Sequence, residues 1–178
     1  MSRVYVNGFW KITVYNISTV DRLFINITFL KLKKVLVSQN PDDYNLPNGY
    51  TFASNPWGDS FYKTYIDEMT YHDAVSQCES DGALLAFPRS EAENNFIANL
   101  FPSTGFSILI GINDIDEEGN FVSIDGRDLV FTKWDPSEPN DYNNNEDAAT
   151  IGKHESRGWN DVPVTHKYKF VCFYEISS

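Results

Sequence analysis

The sequence has no apolar stretch long enough to cross a lipid bilayer. The best candidate, residues 23–37, is interrupted by one asparagine and three lysines, whereas a membrane-spanning helix needs about 20 predominantly apolar residues. Met1 and Arg3 are also followed by a broken apolar region, not by the continuous core of a secretory signal. We therefore expect neither a membrane span nor a leader within this sequence.

Basic residues are scarce in the second half of the chain. Residues 114–161 hold thirteen Asp or Glu against four Lys or Arg, within a chain of net charge −11. Such a segment would repel nucleic acid, which excludes that class of partner. A metal ion or a basic surface would relieve the repulsion, so the charge pattern favours a cationic partner.

Cysteine is also rare, since Cys78 and Cys172 are the two in the chain, and their number alone decides nothing. The histidines His72, His154 and His166 are scattered, with no nucleophile beside them. We therefore expect no enzyme. Aromatic residues are plentiful, with 13 Phe, 10 Tyr and 4 Trp, which excludes a disordered chain.

Proline, glycine and asparagine between residues 40 and 57 predict a loop, and we place a domain boundary within it. Residues 1–55 would form an N-terminal extension, strand-rich or a fragment of a preceding region. Alternation over residues 25–29 predicts a strand there. Asn16 and Asn26 fit the N-glycosylation triplet, which is weak support for modification. Residues 56–178 would form the main domain.

Two helices and several short strands are predicted in the main domain. The first helix follows Thr70 and ends at residues 81–82. The second begins at Ser90, which forms a capping box with Glu93, and ends before Pro102. The fold class is therefore α+β, with two helices packed on antiparallel sheets. The predicted strands are 107–112, 121–124, 129–131 and 169–174.

The interval from Trp134 to Gly158 has hardly any strand signal, and loops of this length within a compact domain are usually functional. Residues 135–148 alone contain five Asp or Glu and four Asn. Ca²⁺ prefers such oxygen ligands, while Mg²⁺ is less suited to so many protein oxygens. The absence of His and Cys disfavours zinc, and the EF-hand pattern is not present. The candidate ligands are Glu138, Asn140, Asp141, Glu146 and Asp147, with Asn160 and Asp161 further on.

Residues from about 60 to 175 carry several short motifs in an order that resembles the C-type lectin-like domain family, in its mannose-binding subclass. The matching motifs are Glu138-Pro139-Asn140, Glu146, Trp159-Asn160-Asp161, Leu109-Ile110-Gly111-Ile112 and Phe170-Val171-Cys172. The resemblance implies a C-type lectin-like fold with a long calcium-binding loop. It also implies a disulfide between Cys78 and Cys172 and a cis bond before Pro139.

The resemblance further implies two calcium ions. The principal ion and the sugar would share Glu138, Asn140, Glu146, Asn160 and Asp161. The auxiliary ion would be held by Asp114, Glu118, Asp141, Glu146 and Asp147. Carboxylates can accept hydrogen bonds from sugar hydroxyls and asparagine amides can donate them. Tyr142 could place its ring against the sugar.

The order Glu-Pro-Asn implies binding of mannose, N-acetylglucosamine, glucose or fucose, whereas Gln-Pro-Asp accompanies galactose in this family. The expected partners are mannose-type glycans on cell or microbial surfaces, for adhesion or innate immune recognition. Binding to one sugar would be weak, so oligomers would supply avidity. A disulfide-bonded lectin is expected to be secreted and extracellular.

Other interpretations remain open. Relatives with this fold bind protein, ice or mineral, so a non-sugar interaction protein is the alternative. Paired carboxylates also occur in glycosidases, but here metal coordination would consume them. Asp116 and Asp135 are interpreted as solvated residues, and Trp134, Trp159 and Phe170 as core or loop anchors.

The family's second cysteine pair is replaced by Ala148 and Val164. We expect this loss to loosen the calcium loop and weaken calcium binding. An oxidised Ala148→Cys, Val164→Cys variant should therefore bind calcium more tightly than the natural sequence in calorimetry, with the reduced variant as control. Equal affinities would reject the hypothesis.

Overall fold

The chain forms two compact units, Met1–Ser38 and Gln39–Ser178. A computed structural model describes residues 2–6, 10–14, 39–55, 58–101, 105, 107–152 and 156–176. In the first unit, strands β1 (Ser2–Val6) and β2 (Trp10–Val14) pair antiparallel. This hairpin agrees with the strands expected near the N-terminus. The strand predicted at residues 25–29 and the triplets at Asn16 and Asn26 lie outside the described residues.

The loop predicted for residues 40–57 contains regular structure. A 3-10 helix, Pro41–Tyr44, is followed by strand β3, Thr51–Asn55, which pairs with β4, Gly58–Met69. Phe52 lies opposite Phe61, with ring centroids 5.6 Å apart. The cross-strand aromatic contact stabilises a strand that turn-forming neighbours conceal in the sequence. The second unit thus begins upstream of residue 56, and the division into 1–55 and 56–178 stays a prediction.

Both predicted helices begin where their capping residues indicate. Helix α1 spans Tyr71–Ser80 with Thr70 as N-cap, and helix α2 spans Glu91–Asn99 with Ser90 as N-cap. The Ser90 hydroxyl accepts a hydrogen bond from the Glu93 backbone N–H at 3.1 Å. The Glu93 carboxylate instead accepts from the backbone N–H of Arg89 and pairs with its guanidinium. In the described ranges no helix has the length and apolar character needed to cross a membrane.

An eight-stranded sheet forms the centre of the second unit. Its order is β3-β4-β10-β6-β8-β9, with β5 against β10 and β7 against β6. All pairs are antiparallel except β6 with β10, which is parallel. The α+β class is confirmed, with this one parallel pair as a difference from the expected antiparallel sheets. The remaining strands are β5 (Leu84–Leu85), β6 (Ile108–Asn113), β7 (Val122–Ser123), β8 (Ala148–Ile151), β9 (Trp159–Val162) and β10 (Tyr168–Glu175).

Two strand predictions are wrong. The long interval 134–158 contains β8, whose four residues are all buried and therefore lack the polar alternation that marks a half-exposed strand. Residues 129–131 do not form a strand, and Val130 is 77% exposed. Its neighbours Leu129 and Phe131 are partly buried against the hydrophobic core and do not pair in the sheet.

The disulfide between Cys78 and Cys172 joins α1 to the central strand β10, which confirms the expected pairing. Cys172 lies opposite Lys63 on one side and Leu85 on the other. Trp159 and Phe170 are fully buried and Trp134 is partly buried, as expected for anchoring residues. The bond therefore ties a helix to the middle of the sheet across much of the chain.

Replacing both cysteines by alanine should lower the free energy of unfolding by about 4–5 kcal/mol, because the bond closes a loop with a sequence separation of 94. Denaturant unfolding of the double variant and the oxidised protein would measure this difference. A loss below about 1 kcal/mol would contradict the assigned role of the bond.

Candidate functional site

Two separate segments of the chain meet at the carboxylate of Asp161. This side chain is fully buried on strand β9. Its Oδ2 atom accepts hydrogen bonds from the backbone N–H groups of Asn140, at 3.0 Å, and Asp141, at 2.7 Å. Because a buried carboxylate needs donors to offset its lost hydration, these bonds fix the acidic loop on the strand.

The sheet brings the remaining acidic residues to the same place. Strands β8 and β9 pair with Ala148 opposite Val162 and Ala149 opposite Asp161. Glu146 and Asp147, which immediately precede β8, therefore lie near the end of β9. Ala148 is buried and Val164 packs against the same hydrophobic cluster, so apolar contact occupies the positions of the absent cysteine pair.

The five residues expected to bind the principal ion are neighbours. The Asn140 side-chain amide donates to Glu138 Oε2 at 2.5 Å, and the Asn160 amide donates to the Asp161 backbone carbonyl at 2.5 Å. Glu146 Oε2 accepts from the Tyr142 backbone N–H at 2.9 Å.

Glu138 and Glu146 have raised pKa values. Burial, followed by the hydrogen bond and charge of Asp161, raises the pKa of Glu138 to about 7. Burial also raises the pKa of Glu146, with Asp161 and Asp141 contributing. Burial is the larger cause of both shifts and the neighbouring negative charges add to it, and a cation between the carboxylates would offset both effects.

The residues expected to bind an auxiliary ion also lie together. Asp114 is 2% exposed, and its Oδ2 atom accepts from the Gly119 backbone N–H at 2.8 Å. Its Oδ1 atom has no hydrogen-bond partner among the described residues. The Asp114 backbone N–H donates to the Asp147 carbonyl at 3.2 Å. Because Asp114 Oδ1 is buried and lacks a hydrogen-bond donor among the described residues, a cation could take the place of that donor.

Electrostatics connects the two sets of carboxylates. Burial raises the pKa of Asp114, with the charges of Asp147 and Asp161 adding to the effect. Partial desolvation likewise raises the pKa of Glu118, and Asp114, Asp141, Asp147 and Asp161 raise it further. Glu118 is exposed. The two expected sites thus form one acidic face.

Within the described residues, no three His, Cys, Asp or Glu side chains are already disposed as a cation-binding cluster. The donor set nevertheless fits calcium, because it consists of carboxylate and amide oxygens and contains one buried oxygen without a partner. The hydrogen bond from the Asn140 amide to Glu138 Oε2 competes with contacts of these two groups to a sugar hydroxyl, whereas Glu138 Oε1 and Asn140 Oδ1 are not used in it.

Other expectations about this loop have mixed outcomes. The Glu138–Pro139 peptide bond is cis, as the resemblance implies. Tyr142 is 68% exposed beside the acidic residues, and Asp116 is exposed as expected. Asp135, interpreted as a solvated residue, is more enclosed than Asp116. It is partly buried, and its Oδ1 atom accepts a hydrogen bond from the Ser156 hydroxyl at 2.9 Å.

The lectin C-type domain family model matches residues 67–174. The chain belongs to the C-type lectin domain family. Collectin-10 of Xenopus tropicalis is 36% identical to it over 116 residues, which are 64% of this chain and 42% of the collectin. The chain therefore spans less than half the length of this curated relative.

Solved structures share the fold of this C-type lectin domain. The C-type lectin CEL-I from Cucumaria echinata has a TM-score of 0.64 at 26% identity, covering 71% of this chain and 95% of that one. A calcium-independent type II antifreeze protein has a TM-score of 0.64 at 22% identity, covering 72% and 93%. The second likeness concerns the fold alone, so the fold does not by itself decide whether a member binds calcium.

Sequence reasoning missed one buried residue near this site. Asn94 on α2 is fully buried, and its Oδ1 atom accepts from the Trp159 indole N–H at 2.8 Å. In the sequence Asn94 is one of several polar residues in the first turns of a helix, where asparagine is commonly exposed. The sequence did offer one signal: Asn94 lies three positions before Ile97, a spacing that places both side chains on the same face of the helix.

The raised pKa values predict how the calcium-free protein responds to pH. A carboxylate with a raised pKa binds more protons in the folded than in the unfolded state, so stability falls as pH rises between the two pKa values. For Glu138 this window runs from the ordinary glutamate pKa of 4.5 to the raised pKa of about 7. A Glu138→Gln variant without calcium should therefore lose less stability than the natural protein between about pH 5 and about pH 8.

Thermal unfolding in chelator at the two pH values measures this difference. Asp116→Asn, which removes an exposed acid outside both expected sites, serves as the matched control and should follow the natural protein. Parallel pH profiles for the natural protein and Glu138→Gln would contradict the raised pKa of Glu138.

Proposed function

We propose that this C-type lectin domain binds mannose-type sugars through calcium: mannose, N-acetylglucosamine, glucose or fucose at the ends of glycans. Glu138, Asn140, Glu146, Asn160 and Asp161 hold the principal ion and contact the sugar. Asp114, Glu118, Asp141, Glu146 and Asp147 hold an auxiliary ion. The observation that carries the proposal is the buried Asp161 carboxylate, which fixes the backbone of Asn140 and Asp141 on the strand that bears Asn160.

The side chains divide the recognition of a sugar diol between acceptors and donors. Calcium, when bound, supplies coordination places for two neighbouring sugar hydroxyls. Glu138 and Glu146 accept hydrogen bonds from these hydroxyls, while the amides of Asn140 and Asn160 donate. Because Glu138 precedes Asn140, the acceptor and the donor lie in the order that accompanies mannose-type sugars in this family.

Tyr142 adds an apolar surface to the proposed site. Its side chain is 68% exposed, and its backbone N–H is held by Glu146. An exposed aromatic ring can cover the C–H face of a sugar ring. We propose this contact as a supplement to the calcium-bound diol, with a smaller contribution to affinity.

We also propose that the protein acts outside cells, in adhesion or recognition of microbial surfaces. The disulfide between Cys78 and Cys172 supports an oxidising compartment. A shallow, partly exposed site gives weak binding to a single sugar, so several copies are needed for useful avidity.

Retention on immobilised mannan tests the proposal. The natural protein should bind in calcium and be released by free mannose and by chelator, but not by galactose. Glu138→Gln should weaken binding about tenfold or more, since the loss of a hydrogen bond to a charged group costs about 1.5–3 kcal/mol. The double variant Glu138→Gln, Asn140→Asp should shift the preference to galactose.

Asn145→Ala is the matched control, because Asn145 is an exposed asparagine of the same loop that belongs to neither expected site. It should bind mannan like the natural protein. Retention that survives mannose but is lost in chelator would instead support the alternative, a calcium-dependent interaction with a non-sugar partner.

A further inference from the structure

Helix α2 is joined to the segment that leads into β9 by three hydrogen bonds. The Asn94 side chain accepts from the Trp159 indole N–H at 2.8 Å and donates to the Arg157 carbonyl at 3.0 Å. The Arg157 guanidinium in turn donates to the Asn95 carbonyl at 3.1 Å. Two consecutive helix residues thereby hold the residues just before Asn160.

The same tryptophan continues this connection to the acidic loop. Its backbone N–H donates to the Lys133 carbonyl at 2.6 Å, and its carbonyl accepts from the Asp135 N–H at 2.8 Å. The Asp135 carbonyl accepts from the Glu138 N–H at 2.9 Å. Trp159 therefore contacts both segments that carry the proposed principal calcium ligands.

Strand β9 is the last strand of the sheet, so it has a full strand partner on one side and depends more on the contacts of Trp159. Strand β8 pairs with one side of it, and residues 133–135 run along it through the Trp134–Trp159 bridge. The Trp159 ring packs edge-on against Trp134 and Phe131. These ring contacts hold the indole in the core, and the hydrogen bond that it donates to Asn94 adds a directional constraint on its orientation.

We propose that Asn94 is a positioning residue for the principal calcium site: through Trp159 it sets where β9 presents Asn160 and Asp161 relative to Glu138 and Asn140. The inference rests on the proposed function, because it assigns Asn94 a role in calcium affinity. Asn94 itself contacts neither ion nor sugar. It acts through Trp159, in the same way that residues hydrogen-bonded to metal ligands commonly orient those ligands.

The test compares Asn94→Ala with Asn95→Ala. Both changes delete the same side chain from neighbouring positions of α2, but the described contact of the Asn95 side chain is to Glu91 on its own helix. Asn94→Ala should weaken calcium binding about tenfold or more, the range reported for residues that orient ligands. Asn95→Ala should leave calcium affinity unchanged. Calorimetry on folded, oxidised protein measures both.

A second variant guards against a failure to fold. Trp159→Phe keeps an aromatic ring but removes the donor to Asn94, so it should weaken calcium binding to a similar extent. The combined variant should lose no more than Asn94→Ala alone, because the bond that Trp159→Phe breaks is one of the two that Asn94→Ala already breaks. Fully additive losses, or calcium affinity within twofold of the natural protein in both single variants, would overturn the proposal.

Amide hydrogen exchange without calcium separates this inference from the proposed function. Asn94→Ala should speed exchange at residues 133–138 and 157–161, while the amides between β4 and β10 stay protected. Tyr62→Phe, which removes the hydroxyl contact to Glu93, serves as a control for general loss of stability and should not show this local pattern. If the natural protein bound no calcium, the proposed function would fail, and exchange alone would decide the positioning role. Unchanged exchange at both segments would overturn it.

Discussion

The candidate site depends on one buried carboxylate. Asp161 is fully buried, and it accepts backbone hydrogen bonds from Asn140 and Asp141 across 21 and 20 positions of sequence. A buried charge of this kind is tolerated only when donors surround it. The acidic loop supplies them, so its backbone must follow the strand. Glu138 and Glu146, on the same loop, lie beside this contact, while Asp114 is held separately by the Gly119 N–H and the Asp147 carbonyl.

This arrangement destabilises the ionised carboxylates, mainly through burial and further through their mutual repulsion. Burial and neighbouring charge raise the pKa values of Asp114, Glu118, Glu138 and Glu146, which means that the ionised forms are disfavoured where they stand. The disulfide and the buried aromatic residues keep the framework rigid behind the loop. An acidic face on a rigid framework is suited to a divalent ion, whether the final partner is a sugar or another molecule.

Much of the fold could be predicted from local sequence signals, because helix caps and alternating strands depend on neighbouring residues. Thr70 and Ser90 mark helix starts for this reason. Strand β3 escaped prediction because turn-forming residues around it conceal it in the sequence, although its partner β4 follows closely. Strand β8 escaped because it is buried between two other strands and so shows no polar alternation. The site residues could be chosen through their ordered motifs. Asn94 could not, since its role arises from a contact 65 positions away.

A crystal structure grown in excess calcium with methyl α-mannoside would show whether the loop binds calcium and sugar together. We expect one ion in contact with two adjacent sugar hydroxyls and with the five principal residues, Glu138, Asn140, Glu146, Asn160 and Asp161. We also expect that the Glu138–Asn140 hydrogen bond seen here is replaced by contacts to ion and sugar. Water alone between Glu138 and Asp161, with calcium abundant in the crystal, would contradict the proposed binding.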